Sequence, residues 1–297
     1  MKYRVTAGTL GAAAALALLS VLPLSGAETT GSGAINRLGN ELGNQLGSRQ
    51  HFTGERAEEI LSKPIMNAQG EKAGKLDNLV VDLDSGRVLY AIVTLGGIIT
   101  GESILVPPGV LTTSSGGANL TFNADNSSLT NAPRWKRSEK TEMGNVSFIN
   151  QIYEHFGMKP WWATGASATG KDTFQNVIAV RTLIGSSLKT SGDTSLGSIK
   201  DLVVDVPNGW AIYAVVSPKS GLTGSSDLYA IPPTAITKGP DGKTLTSTLD
   251  PSKLQGGPHF ASDTWPNLSD RSYAQQVYQY YGKQPGFLGG MLSPTGR

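Results

Sequence analysis

The chain contains the same unit twice, and this duplication limits what it can fold into more than any other feature. Residues 74–93, GKLDNLVVDLDSGRVLYAIV, return at 197–216 as GSIKDLVVDVPNGWAIYAVV, an offset of 123 (74 to 197). Gly74 falls on Gly197, Asp82 on Asp205, Gly86 on Gly209 and Tyr90 on Tyr213. Further along the offset is 125. LVPPGVL (105–111) matches AIPPTAI (230–236), APRW (132–135) matches GPHF (257–260), and SFINQIYEHFGMKP (147–160) matches SYAQQVYQYYGKQP (272–285). Each copy therefore runs through a β-rich part, a Pro-aromatic segment and a helix.

The stretch Asp82-Leu83-Asp84-Ser85-Gly86 has the look of an opening calcium loop. Such a loop needs its glycine one place later and a glutamate at its twelfth position, where Val93 stands. Copy two reads Pro207-Asn208-Gly209 at the same place, so the copies share turn chemistry and not a second carboxylate. The expectation is a hairpin in each copy. Gly86 and Gly209 supply positive φ, and Asp82 and Asp205 cap backbone N–H groups beside the turn. Leu79, Val81 and Leu83, like Leu202, Val204 and Val206, give the first strand one apolar face. The returning strand is apolar on both faces, Val88, Tyr90 and Ile92 on one and Leu89, Ala91 and Val93 on the other. This suits a barrel wall covered by the copy's own helix. For that helix Ser147 and Ser272 are the expected N-caps, with Asn150 and Gln275 completing capping boxes. Gly157 and Gly282 are the expected stops, and Phe148, Ile149, Ile152, Tyr153 and Phe156 the apolar stripe.

The segment ILSKPIMNAQGEKAGKLDNLVVDLDSGRVLYAIVTLGG, followed by ILVPPGVL and LTF, resembles the PRC-barrel domain. That small β-barrel is named for the H subunit of photosynthetic reaction centres and also occurs in a ribosome maturation factor. Copy two is a fainter match, with Pro218-Lys219-Ser220-Gly221 where copy one has the Gly96-Gly97 doublet. The fold class expected is all-β dominated: two tandem PRC-like barrels of six strands, each followed by one short α-helix. The resemblance implies adaptor or assembly roles and brings no catalytic residue with it.

The amino terminus reads as an export signal. Lys2 and Arg4 precede an apolar run from Leu10 to Leu24, and Ser25-Gly26-Ala27 places small residues before a cleavage point. Processing after Ala27 removes two cations and leaves 23 basic against 23 acidic residues, a balance that gives no footing for nucleic acid. The chain has no cysteine, which excludes disulfides, thiolate metal sites and lipid attachment. The expected organisation is a signal peptide at 1–27, a tether at 28–56, unit 1 at 57–157, a linker at 158–176, unit 2 at 177–282 and a tail at 283–297. Within the tether, Leu-Gly pairs recur every fourth residue from Leu38 to Gly47. The expected location is periplasmic or secreted.

Catalytic constellations are hard to find. His51, His155 and His259 have no metal-ligand spacing, and copy two replaces His155 with Tyr280. Ser186-Ser187-Leu188-Lys189 satisfies S-x-x-K without any partner motif. Asp82 and Asp205 are the only acids that both copies place in the hairpin, and they could be imagined as an acid–base dyad. The expectation is a non-catalytic envelope protein without cofactor or metal that binds a protein partner. The alternative is a hydrolase or other small-molecule enzyme with a site between the barrels. Candidate contact residues lie where the copies diverge, at Leu95, Gly96, Gly97, Ile98 and Glu102, and at the adjacent Trp161 and Trp162.

Overall fold

The computed structural model describes residues 52–96, 103–113, 119–135, 143–163, 172–222, 226–239, 241 and 244–288. The expected signal sequence at 1–27, the Leu-Gly repeat, Gly97, Ile98, Glu102 and the end of the tail lie outside them.

In copy one the six strands are β2 (Pro64–Met66), β3 (Lys72–Asp82), β4 (Arg87–Leu95), β5 (Ser103–Val106), β6 (Leu111–Thr113) and β7 (Leu120–Phe122). Strand β1 (Glu55–Arg56) and the one-turn helix α1 (Ala57–Ile60) precede them. Two helices follow, α2 (Asn126–Thr130) and α3 (Val146–His155). Copy two repeats the plan with β8 (Val177–Ala179), α4 (Val180–Leu183), β9 (Ser187–Thr190), β10 (Ser195–Asp205) and β11 (Trp210–Pro218). It continues with β12 (Leu228–Ile231), β13 (Ile236–Lys238), β14 (Leu245–Ser247), α5 (Pro251–Gln255), β15 (His259–Phe260) and α6 (Arg271–Tyr280). In copy one the order β6-β7-β2-β3-β4, with β5 paired to β4, curls the sheet into a barrel. No helix among the described residues is long and apolar enough to cross a membrane.

The long hairpins carry the expected turns. Gly86 has φ +66° and Gly209 φ +67°, a region that disfavours any residue with a Cβ. Asp82 Oδ2 accepts from Ser85 N at 3.1 Å and from Ser85 Oγ at 2.6 Å. Asp205 accepts from Asn208 Nδ2 at 2.8 Å. These are turn caps.

The returning strands are buried on both faces, but their alternation is interrupted. Val81 pairs with Val88 and Val80 with Tyr90, so Leu89 is the extra residue of a β-bulge. The bulge turns Leu89, Tyr90 and Ile92 toward Ile149, Ile152 and Tyr153 of α3. Val88, Ala91 and Val93 belong to the main core. The expected grouping of Val88 with Tyr90 and Ile92 is thereby corrected. Copy two repeats the bulge at Ile212, with Val204 opposite Ala211 and Val203 opposite Tyr213.

The covering helices are capped two residues earlier than expected. Asn145 Oδ1 accepts from Phe148 N at 2.9 Å, and Asp270 Oδ1 from Ser272 N at 2.8 Å. A short carboxamide or carboxylate just before the first turn takes the role expected of Ser147 and Ser272. Asn150 accepts instead from Trp162 Nε1 at 3.0 Å. Gly157 and Gly282 end the helices at φ +63° and +65°.

The copies are not two beads on a string. Residues Phe52–Arg297 cluster as one unit, and each copy lends its leading strand to the other. Arg56 of β1 pairs with Val203 of β10, and Ala179 of β8 pairs with Val80 of β3, the same contact made reciprocally at the offset of 123 (56 to 179). The following one-turn helices have no cap of their own. Asp201 Oδ1 accepts from Glu58 N at 3.1 Å, and Asn78 Oδ1 from Arg181 N at 3.1 Å. Each cap is supplied by the opposite copy from a bulged strand position, so residues 52–56 and 172–176 are not tether or linker. Thr53 N and Oγ1 donate to Asp205. Its counterpart Asn176 donates to Asp84 Oδ1 at 2.8 Å and to Ile236 O at 2.9 Å. Nor does the tail begin at 283, since Phe287 is buried between Phe52, Trp210 and Tyr278.

Candidate functional site

The two hairpin turns meet base to base. Val88 N donates to Gly209 O at 3.0 Å and Ala211 N to Gly86 O at 2.9 Å, again as reciprocal partners. Between these bonds Arg87 lies opposite Trp210, its own counterpart in the other copy. The copies differ in charge at this reciprocal contact, arginine in one and tryptophan in the other.

Among the described residues no acid pairs with Arg87. Its guanidinium carbon lies 3.7 Å from the centroid of one Trp210 ring and 5.2 Å from that of Trp161. Nη1 donates to Asn208 O at 3.1 Å. Burial pulls its pKa down to about 10, against an opposing, smaller effect of the neighbouring Tyr153. Tyr153, whose hydroxyl donates to Leu89 O at 3.0 Å, is itself pushed above the usual tyrosine range by burial.

Beside Arg87 is a cavity of about 150 Å³. Pro108, Met158 and Trp161 wall it from copy one, Pro207 to Gly209 from copy two, and Lys159 stands exposed at its edge. Among the described residues its lining holds two cations and no carboxylate. The turn after α3 positions Met158 through its N–H to Tyr153 O at 2.9 Å. Trp161 is fixed edge-on against Trp162 and tilted against Phe174.

The PRC-barrel family model matches this chain twice, at residues 52–129 and 175–248. The chain belongs to the PRC-barrel domain family. No curated protein matches it. The family supports a non-catalytic module in general terms. The PRC-barrel matches include the exchanged strands β1 and β8 but stop before the helices α3 and α6. The seam cavity is thus built from PRC-barrel turns on two sides and from the added helix-end segment Met158–Trp161 on the third.

The residues singled out from the sequence fare differently. Leu95 is 8% exposed and Trp162 is 5% exposed; both are core residues. Trp162 packs on Tyr153 and Phe174, so the partner-contact reading of these two side chains is corrected by their burial. Gly96 is exposed at the end of β4, its N–H bonded to Ala73 O. Trp161 is half-buried at the seam and keeps a place in the site. Arg87, Asn208 and Lys159 were not singled out. The signal available was an arginine facing a tryptophan in two otherwise matched apolar strands.

Other polar clusters are committed to structure. Asp82, Asp84 and Asp172 line a second cavity of about 390 Å³, but Asp82 serves its turn and Asp84 accepts from Asn176. Among the described residues no group of three His, Cys, Asp or Glu side chains could hold a metal ion. His155 Nε2 lies 2.7 Å from Ser128 O and His259 Nδ1 2.9 Å from Gly257 O.

Proposed function

We propose that this protein is an exported, non-catalytic binding module of the cell envelope, and that it seats a side chain of a protein partner in the cavity at the seam between its barrels. The size and construction of that cavity support the reading. At about 150 Å³ it is well below the roughly 300–1,000 Å³ usual for small-molecule sites, and it matches one side chain. Pro108, Gly109, Met158, Trp161, Pro207 and Gly209 give it largely apolar walls that bury a guest, and Arg87, Tyr153, Lys159 and Asn208 are the polar side chains among its described lining. The basic start, the apolar run to Leu24 and the small residues before Glu28 support export.

Site-specific photocrosslinking tests the reading. A benzophenone amino acid at Lys159, on the cavity edge, should give one discrete adduct in intact cells. The same probe at exposed Asp263, in the loop after β15, should not. Intact mass should show cleavage after Ala27. Equal labelling from both positions, turnover of a defined substrate by the purified protein, or retention of residues 1–27 overturns the reading.

A further inference from the structure

We infer that the guest of the seam cavity is a carboxylate, bound by the free fork of Arg87; this rests on the reading of the seam as a binding site and adds the chemistry of what it takes. A guanidinium presents five N–H donors in a fixed plane and cannot shed its charge at physiological pH. Arg87 spends one of these on Asn208 O. Among the described residues no acceptor lies on Nε or Nη2, which together form the side that a carboxylate meets with two parallel hydrogen bonds.

The surroundings hold that fork in place. Trp210 lies against one face of the guanidinium at 3.7 Å, and the bond to Asn208 O fixes rotation within the plane. A planar acceptor entering edge-on meets a planar donor already oriented, so little side-chain entropy is lost on binding. Lys159 at the edge adds a second positive charge, and no acid among the described lining residues competes. The low polarity that depresses the Arg87 pKa is relieved once an anion arrives. A cavity of about 150 Å³ has room for an aspartate or glutamate side chain. One fork and one lysine satisfy a two-oxygen planar anion better than inorganic phosphate, which has four oxygens to satisfy.

The test uses the mature chain, residues 28–297, labelled with ¹⁵N-arginine, and sodium propionate as a stand-in for a glutamate side chain. Sodium chloride serves as the ionic-strength control and sodium phosphate as the tetrahedral competitor. The Arg87 Nε–H resonance, assigned by its loss in Arg87→Gln, should shift saturably with propionate, with half-saturation at about 10 mM or below. Indole fluorescence should change along the same curve. Arg87→Lys keeps charge without the fork and should weaken the response at least tenfold. A blocked glutamate, acetyl-Glu-amide, should bind at least as well as propionate if the natural guest is a partner's side chain, and more weakly if it is a small free acid. No saturable shift in the wild-type protein, an equal response with chloride, tighter binding of phosphate than of propionate, or undiminished response in Arg87→Lys overturns the inference. The Lys159 crosslink reports separately. If it persists while propionate fails, the seam is a binding site of different chemistry.

Discussion

Asp201 shows how much one side chain can carry in this protein. It is fully buried, accepts from Arg56 Nε at 2.9 Å, and caps Glu58 N and Leu202 N with its other oxygen. Copy one has Asn78 in the same place, and Asn78 Oδ1 makes the two equivalent backbone contacts, to Arg181 N and Leu79 N. The backbone caps need only a side-chain oxygen, which Asp201→Asn keeps, but its amide NH2 then meets Arg56 Nε donor to donor, so the variant should cost about 1 kcal/mol. Asp201→Ala orphans two N–H groups and strips Arg56 of its buried partner, a loss of about 2–4 kcal/mol by urea denaturation. Burial raises the pKa of Asp201, and likewise of Asp82 and Asp205, above the ordinary 3.8. The folded state then holds protons that the unfolded state has released, so these groups make stability rise as pH falls toward 3.8. The exposed caps Asp125, Asp250 and Asp270 have lowered pKa values, and their contribution is lost only as pH falls below 3.8. Asp201→Asn should therefore lose part of the stability that the wild-type chain gains as pH falls toward 3.8, seen as a smaller difference in melting temperature between variant and wild type at neutral pH than near pH 4. A difference that does not change with pH contradicts this account.

At the scale of elements, the hairpins join as well as turn. Gly209 combines φ +67° with a carbonyl that accepts from Val88 N, and a Cβ there would lie 3.1 Å from Pro108 Cγ. Gly209→Val should cost about 1 kcal/mol or more from backbone strain alone. It should also narrow the seam cavity, so propionate binding should weaken in parallel with stability. Calcium should leave the melting temperature unchanged, because Asp82 and Asp84 already serve Ser85 and Asn176. A calcium-dependent rise abolished by Asp84→Ala would restore the loop reading. These turns were legible in sequence because their chemistry is local: glycine after a small polar residue in both copies admits few geometries. The helix stops were legible for the same reason. The caps were displaced by two residues because serine and asparagine both cap well, and only the backbone decides which one stands at the boundary. The bulges at Leu89 and Ile212 left no local mark, since an inserted apolar residue in an apolar run looks like its neighbours.

At the scale of the whole molecule, duplication was readable and exchange was not. Matching residues fix the offset, but nothing in them says which copy of β3 or β10 receives the short strands β8 and β1. That choice is made by tertiary contacts: Asp201 with Arg56, Asn78 with Arg181, and the turns with Thr53 and Asn176. The Arg87 site was hidden for a related reason. It exists only where the two copies face each other, and a residue's neighbours across that contact are its own counterpart's neighbours. Such reciprocity makes the copies interdependent. A fragment of residues 52–163 would keep its six strands, yet β3 would lose the pairing of Val80, Val81 and Asp82 with β8. Its own β1 and α1 would have no sheet to join, exposing Ala57 and Ile60, which are fully buried in the intact chain. An uncovered edge beside apolar surface invites association. Fragments 52–163 and 172–288, each expressed alone, should therefore unfold without a cooperative transition and tend to aggregate. Expressed together they should form a one-to-one complex with the near-ultraviolet dichroism of the whole, and the intact chain should unfold in a single transition. Cooperative unfolding of either fragment alone, with native-like dichroism, would mean that the exchanged strands are ornament, and that the seam joins two barrels able to stand apart.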